Sequence, residues 1–258
     1  MLFKSSAATR AAGTMLNSGG SIQELKKAKP ERLEQVMEEV AMLLEDEALA
    51  ILENPYVTPR MLSQIAQSHR LAAYYNVRLK LVAHRQTPQA HAVKFVHYLY
   101  WFDLLRLSTD VRVPAPVRRA IDTQLVNRLE KLSLGERISS ARRCGTTLIR
   151  AFLFDPHPRV FESLLVNPRL REDDLLLLAS SDRATHEQLR MLGDDPKWSY
   201  RYAIRKALVL NAQTPRAVAA SQLKYLSKRD LRQLHANPDL SLFLRKCIER
   251  LQQTPPSG

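Results

Sequence analysis

Glycine is scarce in this chain, with seven among 258 residues, and neither GxGxxG nor GxxxxGK[ST] occurs. Loops that cradle a nucleotide's phosphates through glycine backbone are therefore not expected. GxSxG, HExxH and EF-hand patterns are missing as well, which removes the common sequence marks of serine hydrolases, zinc proteases and calcium sites. Only two cysteines are present, Cys144 and Cys247, and neither has a CxxC partner. This excludes a disulfide framework and reads as two free thiols in a reducing compartment, so a cytoplasmic protein is expected. The longest apolar stretch, Phe95 to Leu107, is interrupted by His97, Asp103 and Arg106, short of the roughly 20 clean residues of a membrane span. His69, His84, His91 and His97 fall in one region at gaps of 15, 7 and 6. None of these gaps is the i, i+4 spacing that sets two imidazoles on one helical face, and no metal or other cofactor is expected.

Leu, Ala and Arg are abundant, and no segment alternates β-branched or aromatic with polar residues as a strand would. The composition predicts helices throughout. An internal similarity appears at an offset of 127 residues. Tyr75, Gln86-Thr87-Pro88, Ala90, Tyr98-Leu99, Asp103-Leu104, Leu107, Arg118 and Ile121 return as Tyr202, Gln213-Thr214-Pro215, Ala217, Tyr225-Leu226, Asp230-Leu231, Leu234, Arg245 and Ile248 without a gap. Generic amphipathic helices share leucines, but they seldom share QTP and YL at fixed distances, so a duplicated segment is expected.

Turn chemistry recurs inside each copy. Asn54-Pro55, Asn167-Pro168 and Asn237-Pro238 read as helix ends, with Asn suited to a left-handed cap and Pro unable to continue the helix. Thr58-Pro59, Thr87-Pro88 and Thr214-Pro215 read as helix starts, with Thr as N-cap and Pro in the first turn. The signals predict helices near 31–52, 59–68, 71–84, 88–106, 115–132, 135–153, 157–166, 171–180, 185–193, 197–210, 215–226, 228–235 and 240–252. The expected fold is all-α, an α-solenoid of stacked antiparallel hairpins over 30–252. Its duplicated halves are about 43–125 and 170–252, joined by 126–169. Residues 1–29, basic and free of acids through residue 22, read as a tail whose composition also suits a targeting segment, and 253–258 as a second tail.

This pattern, an arginine-bearing helix, a TP-started helix and a YL and DL helix, resembles bacterial HEAT-like and variant leucine-rich helical-repeat proteins over residues 43 to 252. The resemblance implies a stacked-hairpin architecture. It does not bring the iron–sulfur cluster of the variant leucine-rich class, because the cysteine group that holds it is missing.

Charge follows the repeat. The net charge is +13, yet residues 31–53 carry one Arg against eight acids, while 54–123 carry ten bases against three acids. Residues 161–200 carry five bases against eight acids, and 201–252 carry eleven against three. The candidate basic surface comprises Arg78, Lys80, Arg85 and Lys94 in the first copy, and Arg201, Arg205, Lys206, Lys224, Lys228, Arg229 and Arg232 in the second. Trp101 and Trp198 are candidate aromatic contacts. Such a surface attracts phosphates or acidic proteins, and its pull falls with salt. The expectation is a non-enzymatic binding scaffold for an acidic protein or a polyanion, with nucleic acid as a possible partner and no catalytic residue assigned. The alternative is a HEAT-like DNA-binding protein related to alkylpurine glycosylases, which use Trp and Asp about an exposed base; Trp101, Asp103 and Trp198 invite that comparison. Asp103 paired with Arg118 and Asp230 with Arg245 are the expected packing ion pairs.

Overall fold

The computed structural model describes residues 18–253. Within them the chain is all-helical, with seventeen α-helices and no strand. Contacts divide it into two compact units, up to Asn127 and from Arg128 onward. Each unit holds one of the two similar segments.

The first unit contains α1 (Ser18–Lys27), α2 (Pro30–Met37), α3 (Glu45–Leu52), α4 (Pro59–Gln67), α5 (Tyr75–Ala83), α6 (Gln89–Val96), α7 (Trp101–Ser108) and nearly all of α8 (Ala115–Arg128). The second contains α9 (Leu134–Ala141), α10 (Thr146–Phe152), α11 (Pro158–Leu165), α12 (Glu172–Ala179), α13 (His186–Asp194), α14 (Tyr202–Leu210), α15 (Arg216–Leu223), α16 (Lys228–Ala236) and α17 (Leu242–Gln253). Within each unit the main packing joins a helix to its neighbour or to the next but one: α1 with α3, α3 with α5 and α5 with α6, then α9 with α11, α12 with α14 and α15 with α17.

Local chemistry explains the individual helices. In α4, Thr58 Oγ1 accepts the Met61 N–H at 3.4 Å, Pro59 fits the first turn, and Met61, Leu62, Ile65 and Ala66 form the buried stripe. The stripe repeats in α11 as Val160, Phe161, Leu164 and Leu165. Ser133 and Glu136 cap α9 reciprocally, as do Thr185 and Gln188 in α13. Gly193 in α13 stands where a Cβ would run into Val218 of α15, so these helices approach more closely than any other residue would allow.

Four of the expected long helices are broken. Residues 31–52 form α2, a 3₁₀ turn at Val40–Met42 and α3, whose first free N–H, on Leu44, is taken by Glu47 Oε2 at 2.9 Å. Residues 71–84 begin with a 3₁₀ turn at Leu71–Ala73, residues 88–106 split into α6 and α7, and 135–153 split at Gly145, the N-cap of α10. The expected tail at 1–29 also needs correction, because residues 18–27 form α1; its remainder to residue 17 lies outside the described residues, as do 254–258.

The asparagines do not act as left-handed caps, since no described non-glycine residue has positive φ. They work through their side chains instead. Asn54 Nδ2 donates to the carbonyls of Leu25 and Ala28 at 2.7 and 3.0 Å, and Asn167 Nδ2 to those of Ala141 and Cys144 at 2.8 and 3.2 Å. Asn211 Nδ2 donates to Ala179 and Ser181 at 2.7 and 3.1 Å. In each case Oδ1 accepts the N–H two residues on, from Tyr56, Arg169 or Gln213. One amide, buried at Asn54 and Asn167 and half-buried at Asn211, thus satisfies carbonyls orphaned at the end of an earlier helix and fixes its own turn. Gln188 serves Leu153 and Asp155 in the same way.

Thr87 and Thr214 also differ from expectation. Their helices start one residue later, with Pro88 and Pro215 as N-caps, so both threonines are buried and their hydroxyls have no hydrogen-bond partner.

Candidate functional site

Each unit carries a cluster of tyrosine, arginine and aspartate at the junction of three helices. In the first, the Tyr75 hydroxyl at the start of α5 donates to Asp103 Oδ2 in α7 at 2.5 Å, and the Tyr75 hydroxyl oxygen accepts the Tyr100 N–H at 3.1 Å. In the second, Tyr202 donates to Asp230 Oδ2 and accepts the Ser227 N–H at 3.0 Å. A phenol from one helix therefore takes up a free N–H at the start of another, alone in the first cluster, where the N-cap Tyr100 makes no side-chain cap, and beside the Ser227 hydroxyl in the second. Burial and the Asp103 carboxylate push the Tyr75 phenol up to about 12, so it stays a donor. Lys206, Tyr202 and Ser227 hold the Asp230 carboxyl well below the usual carboxylate range, so it stays an acceptor.

Arginine completes each cluster. Arg78 Nε donates to the Ala72 carbonyl and its guanidinium lies 4.7 Å from the Tyr98 ring centroid. Arg205 Nε donates to Ser199 at 2.7 Å, and its guanidinium lies 3.8 Å from the Tyr225 ring, which Lys224 also approaches at 4.9 Å. Every one of these matched residues is separated by the same 127 positions. The expected ion pairs are not the ones formed. Asp103 pairs with Arg106 at 3.1 Å and Asp230 with Lys206 at 2.7 Å, while Arg245 donates to the carbonyls of Asn237, Pro238 and Leu240. Each carboxylate is reached by a tyrosine two helices earlier and by a base close to it, and Arg245 is drawn to the orphan carbonyls beside its own helix start.

The candidate basic residues divide into two sets. Lys80 pairs with Glu53 at 2.5 Å, which also takes Lys26 and is held low by both; Arg201 faces Glu172 at 3.9 Å; Lys206 serves Asp230. Arg78 and Arg205 are half-buried and spent on carbonyls and tyrosines. The remaining six, Arg85, Lys94, Lys224, Lys228, Arg229 and Arg232, are exposed and have no acid within ion-pair distance among the described residues. Four of these six fall within positions 224–232.

Both tryptophans are in the core rather than on the surface, which corrects the expectation for them. Trp101 is 8% exposed and Trp198 4%, with the Trp198 Nε1 donating to the Leu165 carbonyl. The alternation at 98–102 explains why: with Leu99 and Trp101 turned inward, Tyr98, Tyr100 and Phe102 are left 55, 68 and 50% exposed. Tyr100 stacks on Tyr75 with centroids 4.4 Å apart and planes at 27°. These rings lie at the surface, as do Tyr56, Tyr200, Tyr202, Tyr225 and Phe243, and the sequence marks them only through the YxYxF spacing. No acid occurs between residues 54 and 102, nor between 196 and 229.

The two cysteines are both free; burial pushes the Cys144 thiol up to about 12, which makes it inert at neutral pH. Among the described residues no group of three or more His, Cys, Asp or Glu is placed to hold a metal, and no helix is long and apolar enough to cross a membrane. No protein-family model matches the chain, and neither does any curated protein or solved structure.

Proposed function

We propose that this chain is a non-enzymatic binding protein: a duplicated array of stacked helical hairpins whose basic, tyrosine-bearing faces hold a polyanionic partner. The observation that carries the proposal is the pair of tyrosine–arginine clusters at one register, each set in a stretch without acids and flanked by exposed cations with no acidic partner. Duplication accounts for a hydrogen-bond network that recurs atom for atom at offset 127, and next-but-one helix packing supports the hairpin array. The two free thiols suit a cytoplasmic setting.

The glycosylase-like alternative loses the features that raised it. Trp101 and Trp198 are buried, and Asp103 is occupied by Tyr75 and Arg106.

Fluorescence anisotropy of labelled inorganic polyphosphate with the full chain tests the proposal. Saturable binding at 50 mM salt that weakens about tenfold or more at 200 mM is expected, since each phosphate neutralised releases counterions. No binding at 50 mM, or binding indifferent to salt, overturns it.

A further inference from the structure

We infer that the two clusters serve one ligand class in different ways, the first stacking unpaired nucleobases and the second holding phosphates, so that the partner is single-stranded nucleic acid. The inference rests on the polyanion reading and specifies its ligand.

Its basis is what differs between two otherwise matching clusters. The internal parts are the same: Tyr75, Arg78, Tyr98 and Asp103 correspond to Tyr202, Arg205, Tyr225 and Asp230. The outward parts are not. Exposed His97, Tyr100 and Phe102 stand where the second copy has Lys224, Ser227 and Arg229, and the buried Trp101 stands where it has the exposed Lys228. The second face keeps exposed rings of its own in Tyr200, Tyr202 and Tyr225, but where the first adds Tyr100 and Phe102 it has Ser227 and the cation Arg229.

The aromatic face has the geometry of a stacking platform. Tyr98, Tyr100 and Phe102 expose half or more of their surface within five residues, an unusual concentration for a surface that buries nothing. Tyr100 already accepts one ring on Tyr75 and leaves its remaining surface to solvent, and Arg78 reinforces Tyr98 by lying against its ring. Bases of any sequence stack on such rings, provided that they are unpaired, because a duplex keeps base faces against one another. The stretch that carries the rings, residues 54 to 102, contains no carboxylate of its own. An acidic protein would be served by cations on both faces and gives no reason for the added rings of Tyr100 and Phe102 on one.

The test uses the full chain and three labelled probes: a 15-residue oligothymidylate, a 15-base-pair duplex and inorganic polyphosphate. The expected result is that oligothymidylate binds at least tenfold more tightly than the duplex. Y98A/Y100A/F102S is expected to weaken oligothymidylate about tenfold or more, the scale of one to two stacked bases, while changing polyphosphate less than about twofold. Y98F/Y100F, which keeps the rings, should retain binding, and the single variant F102S, at a position without polar partners, guards against a folding defect in the triple. Equal binding of duplex and single strand, an unchanged oligothymidylate affinity in the triple variant, or stronger competition by polyglutamate than by polyphosphate overturns the inference while leaving polyanion binding in place. If neither polyphosphate nor oligothymidylate binds, the polyanion reading fails and this inference with it.

Discussion

Tyr75 does two jobs through one oxygen, donating to Asp103 and accepting the first free N–H of α7 from Tyr100. Both depend on its remaining a phenol, and its ionisation sits at about 12 rather than the ordinary 10. Because the folded-state value lies above the unfolded one, the stabilisation from this group is complete below about pH 10 and is lost as pH rises toward 12. A rapid-mixing titration at 295 nm should therefore find one of the eight tyrosines ionising near 12, and Tyr75→Phe should remove that step. Uniform ionisation of all tyrosines near 10 would contradict the bond. Asp230 runs the opposite way: its folded value is depressed, so its contribution is present in full above the usual carboxylate range and is lost as pH falls below that range through the lowered folded value. These residues were half legible in the sequence. Tyr75 and Asp103 return as Tyr202 and Asp230 at one offset, which marked them as recurring positions, but arginine was the partner expected for the aspartates. Charge complementarity alone favours arginine; the backbone N–H at the start of α7, which recruits the phenol, is invisible until the helix break is known.

Helices were legible where a capping residue announced them and were run together where tertiary contacts did the capping. The split between α6 and α7 shows the difference, since residues 97–100 contain no Gly, Pro or Ser and the free N–H of Tyr100 is satisfied from 25 residues away. Its counterpart Ser227 caps α16 locally, accepting the Asp230 N–H at 3.1 Å, and there the break was expected. The buried asparagines work at this scale too, each fastening an earlier helix to the turn that follows a later one. Asn167 is fully buried, and an acid there would turn an oxygen toward the carbonyls of Ala141 and Cys144. Asn167→Asp should cost about 3 kcal/mol in urea unfolding, the scale of unpaired buried polar groups. Asn237→Asp should cost less than ~0.5 kcal/mol, because the described role of its side chain is to accept the Asp239 N–H, which a carboxylate does equally well. Equal losses for the two would refute the tie.

At the scale of the molecule, net charge pointed to an anionic partner without saying which cations are at its disposal. Three of the eleven basic candidates pair with the chain's own acids, two are held by carbonyls and tyrosines, and six remain. Sequence could not make that division, since Glu53 and Lys80 are 27 positions apart, and Glu172 and Arg201 are 29 apart. The outward residues that set the two clusters apart are positions at which the two similar segments differ. The measurement that bears most directly on the binding faces is the salt dependence of oligothymidylate affinity in two variants of the full chain. K224Q/K228Q/R229Q/R232Q should flatten the slope of log K against log salt by about 3, at ~0.7 for each phosphate that is no longer neutralised, whereas K80Q/R201Q should leave it nearly unchanged. A slope that is unaffected by the first variant, or reduced as much by the second, would contradict the assignment of these faces as the binding surface.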